Sequence, residues 1–507
     1  MAVVRTPARR LAELGTRGAG WPAALAVTAL AAAFRLPALG RPNTLVFDET
    51  YYVKDAWTLL NLGYEAKWPV NPDAAFEAGD VYSYSPEASY VVHPPVGKWV
   101  IALGLRLVGA DSPIGWRLGV VLAGLVTVLL VTRVARRLFA STGLGVLAGC
   151  IVALDGVAIV TSRTALLDGV MTMWLVAGFG ALLIDRDRAH QRLDRLTAPP
   201  RAPSRFGPRL GVRPWRLLAG VLLGLAVGTK WSALWFLAAF GLLTVAWDAS
   251  ARYRAGIRQW WQGALLRDAA PAALSLMGLA AVTYLLSWSS WFASSQSYGR
   301  QWAATQGDSW VPAALRSWWH YHQQMWHFHT TLTADHPYIA HPIGWLLQIR
   351  PTSFFYISPE PAEQYCGAER CSQAVTSLGN PFVWWLGTAA LVAAVWWAVR
   401  HRDGLAAVGL AGVAAGWLPW FLYPNRPVFS FYTIAILPWL ALTLAWAAAR
   451  LIRWARPDDY RWRWLVTAFV VAGVLVVGSA LFFWPVWTGE VITLRFWQLH
   501  QWLPSWI

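Results

Sequence analysis

The chain has 507 residues, 57% of them hydrophobic and only 13% charged, with a formal net charge of +16. Soluble domains carry about a quarter charged residues, so a soluble globular fold is excluded, and apolar runs that are continuous rather than alternating exclude an outer-membrane barrel. The positive charge does not demand nucleic acid either, because about 27 of the 42 Lys and Arg fall in segments that the positive-inside rule places in the cytoplasm.

Hydropathy predicts an all-α polytopic membrane protein with about eleven spans. Residues 1–20, with Arg5, Arg9, Arg10 and Arg17, read as a cytoplasmic tail, and 21–40 as a signal anchor running outward. Arg35, inside that run, is expected to snorkel to the interface. An outer loop at 41–95 follows and carries the adjacent acids Asp48 and Glu49. Within it Val53, Trp57, Leu60 and Tyr64 recur near helical spacing, which predicts a helix lying on the membrane surface. The apolar stretch 96–109 is short and contains Lys98 and Arg106, so it reads as a second juxtamembrane helix and extends the outer segment to 41–114. The next run, 115–132, ends at Arg133, Arg136 and Arg137, an end that belongs inside.

Spans at 144–161 and 165–184 lead to an Arg- and Pro-rich loop at 185–214, expected to be a solvated cytoplasmic tether. Spans at 215–229 and 232–248 turn at Gly228-Thr229-Lys230-Trp231, and a span at 269–291 opens a second outer loop, 292–379. Spans at 381–399, 404–422, 429–449 and 464–486 complete a single membrane domain, 1–507, with the C-terminus outside. Cys366 and Cys371 lie close together in the second outer loop and suit a disulfide in an oxidising compartment, whereas Cys150 is a packed small residue. His320, His322, His327 and His329 fall on a predicted outer amphipathic helix, Trp318 to Phe328, and lack the tightly spaced Cys or carboxylate of a zinc centre. Most of the 36 Trp serve interface belts and packing.

Paired carboxylates beside a bilayer are costly and usually have a task. In this topology Asp48, Glu49, the segment His93-Pro94-Pro95-Val96-Gly97-Lys98, Arg117, Arg163, Lys230 and Arg426 share the outer side. Carboxylates and cations at one depth suit group transfer from a lipid phosphate. A cation stabilises the charge that builds on the leaving group, Arg in bidentate fashion and Lys as a point charge. One carboxylate then suffices as general base for a hydroxyl acceptor, and displacement by a single base inverts the anomeric carbon. A double displacement would need a second carboxylate about 5 Å away, across the sugar carbon, which sequence neighbours cannot easily supply.

Phe47-Asp48-Glu49 followed by His93-Pro94-Pro95-Val96-Gly97-Lys98 resembles the signature of the protein O-mannosyltransferases, membrane glycosyltransferases of GT-C architecture. Arg163 to Asp168, Gly228 to Ser232, His336-Pro337-Tyr338, Arg350-Pro351 and Arg426 to Tyr432 resemble further family motifs in consistent order. The resemblance implies a polyprenyl-phosphate-mannose donor, Ser/Thr acceptors of secreted proteins and inversion on the extracytoplasmic face; no cofactor is expected, no metal ligands are assigned, and metal dependence is left open. It implies Asp48 as the base, Glu49 orienting Asp48 or the acceptor, and Arg117 and Lys230 facing the donor phosphate, with Lys98 and Arg426 as further phosphate candidates. His93, Arg163 and Asp168 are other site candidates, Asp168 either in the site or bonded to Arg163. Eukaryotic members carry a MIR domain between middle spans, for which 292–379 is too short. The composition points to a bacterial, actinobacterial member. Two other readings compete. One is a related GT-C transferase that moves an arabinose-type sugar from a polyprenyl phosphate to a lipid or glycan. The other is a transporter of lipid-linked sugars, which would place its polar groups near mid-membrane in paired halves.

Overall fold

Every one of the eleven apolar runs is helical in the computed structural model, which describes residues 20–198, 204–455 and 460–507. The predicted cytoplasmic tail lies outside the described residues except for Gly20. The principal helices are α1 (Gly20–Arg35), α2 (Glu49–Leu62), α3 (Val96–Val108), α4 (Pro113–Phe139), α5 (Thr142–Ala153), α6 (Gly156–Arg163), α7 (Leu167–Thr197), α8 (Pro214–Val227), α9 (Ala233–Arg254) and α10 (Trp260–Ser287). After them come α11 (Ala313–Thr331), α12 (Pro381–His401), α13 (Gly404–Leu422), α14 (Leu437–Trp454) and α15 (Tyr460–Thr488). Among the described residues seven of these, α4, α7, α9, α10, α12, α13 and α15, are individually long and apolar enough to cross a membrane. The pair α5–α6, bent by 60°, supplies an eighth crossing if it counts as one span. Helices α1, α8 and α14 fall short of that measure, so helix length does not fix the predicted total of eleven.

The bend between α5 and α6 has a polar explanation. A helix end leaves carbonyls and N–H groups without partners. Here Arg35 supplies the donors: Nη1 reaches the Ala153 carbonyl at 2.8 Å, Nη2 the Val152 carbonyl at 3.0 Å, and Nε the Ser162 hydroxyl at 3.0 Å. Arg35 is therefore buried and does not snorkel, contrary to expectation. Asp155 supplies the acceptors. It caps α6 by accepting from Val157 and Ala158 N–H, and its other oxygen accepts from Asn380 N–H at 2.9 Å and Trp384 Nε1 at 2.8 Å. The break thus ties α1, α5, α6 and α12 together.

The basic loop is a tether only in part. Helix α7 runs on to Thr197, and Arg213 is buried between Asp185 and Asp248, while Arg252 pairs with Asp268 and binds the Phe206 and Pro208 carbonyls. These pairs fasten the basic ends of α7, α9 and α10 to the chain between them.

The second outer loop also departs from the all-α reading. Strands β1 (Thr352–Ile357), β2 (Cys371–Ser377) and β3 (Val491–Thr493) form an antiparallel sheet in that order. Cys366 and Cys371 are disulfide-bonded at its edge. The third strand follows α15 directly, so the sheet joins the last long helix to the loop over the site.

Substitution Asp155→Ala would leave four buried N–H donors without their acceptor, at a cost of about 2–4 kcal/mol. Thermal denaturation of the detergent-solubilised variant should show a clearly lowered midpoint; an unchanged midpoint would mean that apolar packing alone holds the break.

Candidate active site

The site begins where α2 begins. Phe47 adopts a left-handed backbone (φ 51°), a costly conformation for a bulky residue. Its ring is held by stacking on Phe354 of β1 (4.7 Å between centroids) and by edge contacts with Phe429 and Phe431. That turn sets Asp48 as the cap residue of α2 and Glu49 as its first residue, and their side chains part company.

Glu49 is fully buried and saturated. It takes Arg117 Nε and Nη2 in a two-pronged pair at 2.9 Å each, and also accepts from the N–H groups of Val46 (3.0 Å) and Ala165 (2.7 Å). Arg117 is equally buried; its remaining donors go to the carbonyls of Leu39, Pro42 and Thr44. The expectation that Arg117 faces a phosphate is therefore corrected, since no N–H of its guanidinium is left over. Glu49 likewise contacts no part of Asp48; it locks the outer loop to α4 and to the start of α7.

Two more predicted cations are scaffold. Lys98 is buried between Glu65 and Asp55, 3.7 Å from the Asp55 carboxylate. Arg163 donates to the carbonyls of Pro37 (2.8 Å) and Ala38 (2.7 Å) and also to that of Arg35, pinning the exit of α1. Both side chains are buried, and only Arg163 Nε is left without a partner. Asp168 does not bond Arg163. It holds Lys230, whose Nζ lies 2.9 Å from both carboxylate oxygens and 4.4 Å from the Tyr432 ring centre.

Asp48 differs from the other acids. It is half-buried, and its side chain has one hydrogen bond, a long one of 3.4 Å from the Tyr52 hydroxyl one turn along α2. Burial pushes its pKa up to about 6; the charge of Lys230 pulls it down, and that of Asp168 pushes it up. Lys230 and Asp168 thus act on Asp48 although they come from α7 and the α8–α9 turn.

His93 lies against Tyr52 (6.0 Å between rings) and His329 (5.3 Å), and its Nδ1 is buried with no partner. Its pKa is well below the usual value, first through burial and then through Lys230, His329, Lys98 and Arg426. His329, on α11, donates from Nε2 to the Val92 carbonyl at 2.9 Å, which leaves Nδ1 to accept from Arg426 Nη1 at 3.2 Å. Its pKa is lowered to about 4 by burial and by Arg426. Both imidazoles are neutral near pH 7. Arg426 is half-buried, bonds only His329, has an unpartnered Nε, and meets no carboxylate among the described residues.

The structure therefore gathers Asp48, His93, Asp168, Lys230 and Arg426, and separates from them Glu49, Lys98, Arg117 and Arg163. Sequence reasoning missed Tyr52 and Tyr432, and it singled out His329 only as part of a histidine cluster on the outer helix. Tyr52 stands four residues from Asp48, and Tyr432 closes the motif that begins at Arg426, so both carried a positional signal. An apolar crevice, lined by Met171, Phe236, Gly416 and Trp235 among others, runs from Asp168 and Tyr432 toward the exposed side of α9. Among the described residues no group of three or more His, Cys, Asp or Glu could hold a metal ion.

Comparison with known proteins finds relatives along nearly the whole chain. Residues 92–188 match the family described as dolichyl-phosphate-mannose-protein mannosyltransferase, and 314–506 match the C-terminal four-transmembrane region of protein O-mannosyltransferase. The polyprenol-phosphate-mannose–protein mannosyltransferase of Mycolicibacterium smegmatis is 38% identical over 97% of this chain and 93% of its own length. Its counterparts from Mycobacterium tuberculosis and Corynebacterium glutamicum are 37% and 35% identical, each over 96% of this chain and 92% of their own length. In fold, the chain is similar to the S. cerevisiae protein O-mannosyltransferase Pmt1–Pmt2 complex bound to its sugar donor, with a TM-score of 0.71 at 14% identity over 100% of this chain and 96% of that one.

The division into scaffold and site predicts a split between two arginines. Arg117→Ala strands a buried carboxylate and should destabilise the protein by about 3–5 kcal/mol. Arg426→Ala removes no ion-pair partner and should melt close to wild type. Equal melting temperatures for the two variants in detergent would refute the assignment of Arg117 to the scaffold.

Proposed function

The chain belongs to the polyprenol-phosphate-mannose–protein mannosyltransferases, and from that membership we propose how its own residues move mannose from a polyprenyl phosphate to a protein hydroxyl, with Asp48 as the base. The observation that carries this reading is the state of the carboxylates. Glu49 is filled by Arg117 and two N–H groups, and Asp168 by Lys230, whereas Asp48 keeps one oxygen free. In the proposed step a Ser or Thr hydroxyl oxygen attacks C1 of mannose as its proton passes to Asp48. The bond from C1 to the phosphate oxygen breaks, and the electron pair leaves on the phosphate. Displacement from one side by one base inverts the sugar, because no second carboxylate is free to form a covalent intermediate.

Lys230 serves twice. Its charge keeps Asp48 ionised against the effect of burial, and with Arg426 it offsets the charge growing on the leaving phosphate. No cofactor takes part; the lipid-linked sugar is a substrate. Tyr52 orients Asp48 through its hydroxyl, and the unpartnered His93 Nδ1 offers a neutral contact for donor or sugar oxygens. Orientation follows from charge. Helix α4 starts with Arg117 beside the site and ends in Arg136 and Arg137, and α7 starts with Asp168 and ends in Arg195. By the positive-inside rule the site then faces the extracytoplasmic side, where secreted acceptors pass.

Asp48→Asn should lower transfer from labelled polyprenyl-phosphate-mannose to a Thr- and Pro-rich peptide by about 10²–10⁴-fold while donor binding persists. Turnover near wild type would remove Asp48 as the base. The base works only when ionised, and its pKa is raised to about 6, so kcat/KM should hold above that pH and fall as pH drops through it. A profile flat between pH 5 and 8 would contradict the assignment. Arg426→Ala should raise the KM for the lipid donor more than that for the peptide; the reverse order would take Arg426 away from the phosphate.

A further inference from the structure

Helix α11 presents an edge for which the fold supplies no cover. Trp319 is 62% exposed, Trp326 60% and Leu315 40%, and Trp310 in the loop before the helix is 95% exposed. At 3.6 residues per turn, Leu315, Trp319 and Trp326 fall within a stripe about 40° wide. Single exposed apolar residues are ordinary, but adjoining large ones mark a surface that binds something.

Three observations identify the occupant as lipid. The stripe borders residues that sit on the end of a membrane helix: Trp318 and His322 pack on Tyr284 at the outer end of α10 and on Trp288 just beyond it, with His322 and Trp288 rings 4.9 Å apart. On that same helix Val282, Leu285 and Leu286 are exposed, as befits a lipid-facing span, so the Trp edge continues a lipid-facing surface. The other side of α11 is polar. His320, Gln323, Gln324, His327 and Thr331 line an open groove with Tyr90 and Tyr298. A helix with Trp on one side and polar groups on the other fits the headgroup layer of a bilayer.

The inner face of α11 touches the site. His329 holds Arg426 through both its carbonyl and Nδ1. His322 donates from Nδ1 to the Trp318 carbonyl and accepts at Nε2 from the Tyr284 hydroxyl (2.7 Å), which in turn accepts from Trp231 Nε1 (2.8 Å). Trp231 is the neighbour of Lys230 in the chain. Arg426 directly, and Lys230 through its neighbour Trp231, are therefore linked to this one helix.

We propose that α11 is seated in the outer-leaflet headgroup layer through Trp310, Leu315, Trp319 and Trp326, and that this seating positions Arg426 and Lys230 for the lipid phosphate. The second half rests on the function proposed above; the first does not.

The test uses full-length protein in phosphatidylcholine–phosphatidylglycerol vesicles, in a Cys150→Ser background. An environment-sensitive fluorophore is attached at Trp326→Cys or, on the polar side, at Gln324→Cys. The label at 326 should be quenched by lipid carrying a nitroxide near the headgroup and spared by aqueous iodide, and the label at 324 the reverse. Iodide quenching at 326 equal to that at 324 would place the edge in water and overturn the proposal. Shielding at 326 from both quenchers would mean that protein covers it, and would overturn the proposal equally. Neither readout depends on catalysis, so they stand apart from the assignment of Asp48. For the coupling, Trp319→Ser with Trp326→Ser should raise the KM for the lipid donor several-fold and leave the KM for the peptide unchanged. An unaltered donor KM in a folded variant would sever α11 from the cations.

Discussion

The two-pronged pair between Glu49 and Arg117 is the constraint on which the reaction face depends. It is buried on both sides, and such a pair is not a source of net stability, because desolvation cancels most of the attraction. What it supplies is geometry. Four hydrogen bonds converge on Glu49, two from Arg117, one from the turn that precedes α2 and one from the segment leading into α7, and Arg117 reaches three carbonyls beyond α1 with its other donors. Asp48 is the next residue along the chain. Its position is fixed without spending its own oxygens on the fixing.

The same economy runs through the rest of the cluster. Acids that would compete as base are occupied by cations, and cations that would compete for phosphate are occupied by acids or carbonyls. Lys98 takes Asp55 and Glu65; Arg163 takes the carbonyls that end α1. Within this cluster Asp48 keeps free capacity beside a Lys shared with Asp168, and Arg426 meets no acid among the described residues. Neutral imidazoles fill the space between them and add polarity without adding charge.

Much of this was legible in the sequence, and the illegible part has a physical reason. Long apolar runs must become helices when no water is present to satisfy the backbone, so their positions could be read directly. The motif residues Asp48, Asp168, Lys230 and Arg426 could be read because their order matches a known pattern. What could not be read was pairing. Arg117 and Arg426 both sit near outer helix ends, and only tertiary contacts show that one is saturated and the other is not. Arg35 looked like a residue reaching for water because its partners, two carbonyls at a helix break more than a hundred residues away, have no signature in composition. The sheet escaped because its strands are short, two of them inside a loop between strongly hydrophobic segments and the third just after the last long helix.

The left-handed Phe47 joins parts of the molecule that are far apart in the chain. Its ring is wedged between β1 and the 429–431 segment, and its backbone turns straight into Asp48. Phe47 consequently ties the sheet to the turn that carries Asp48. The connection from β1 to β2, by contrast, is mostly exposed and is cinched by its own disulfide. That connection is free to vary in length while the buried pairs beneath it stay untouched.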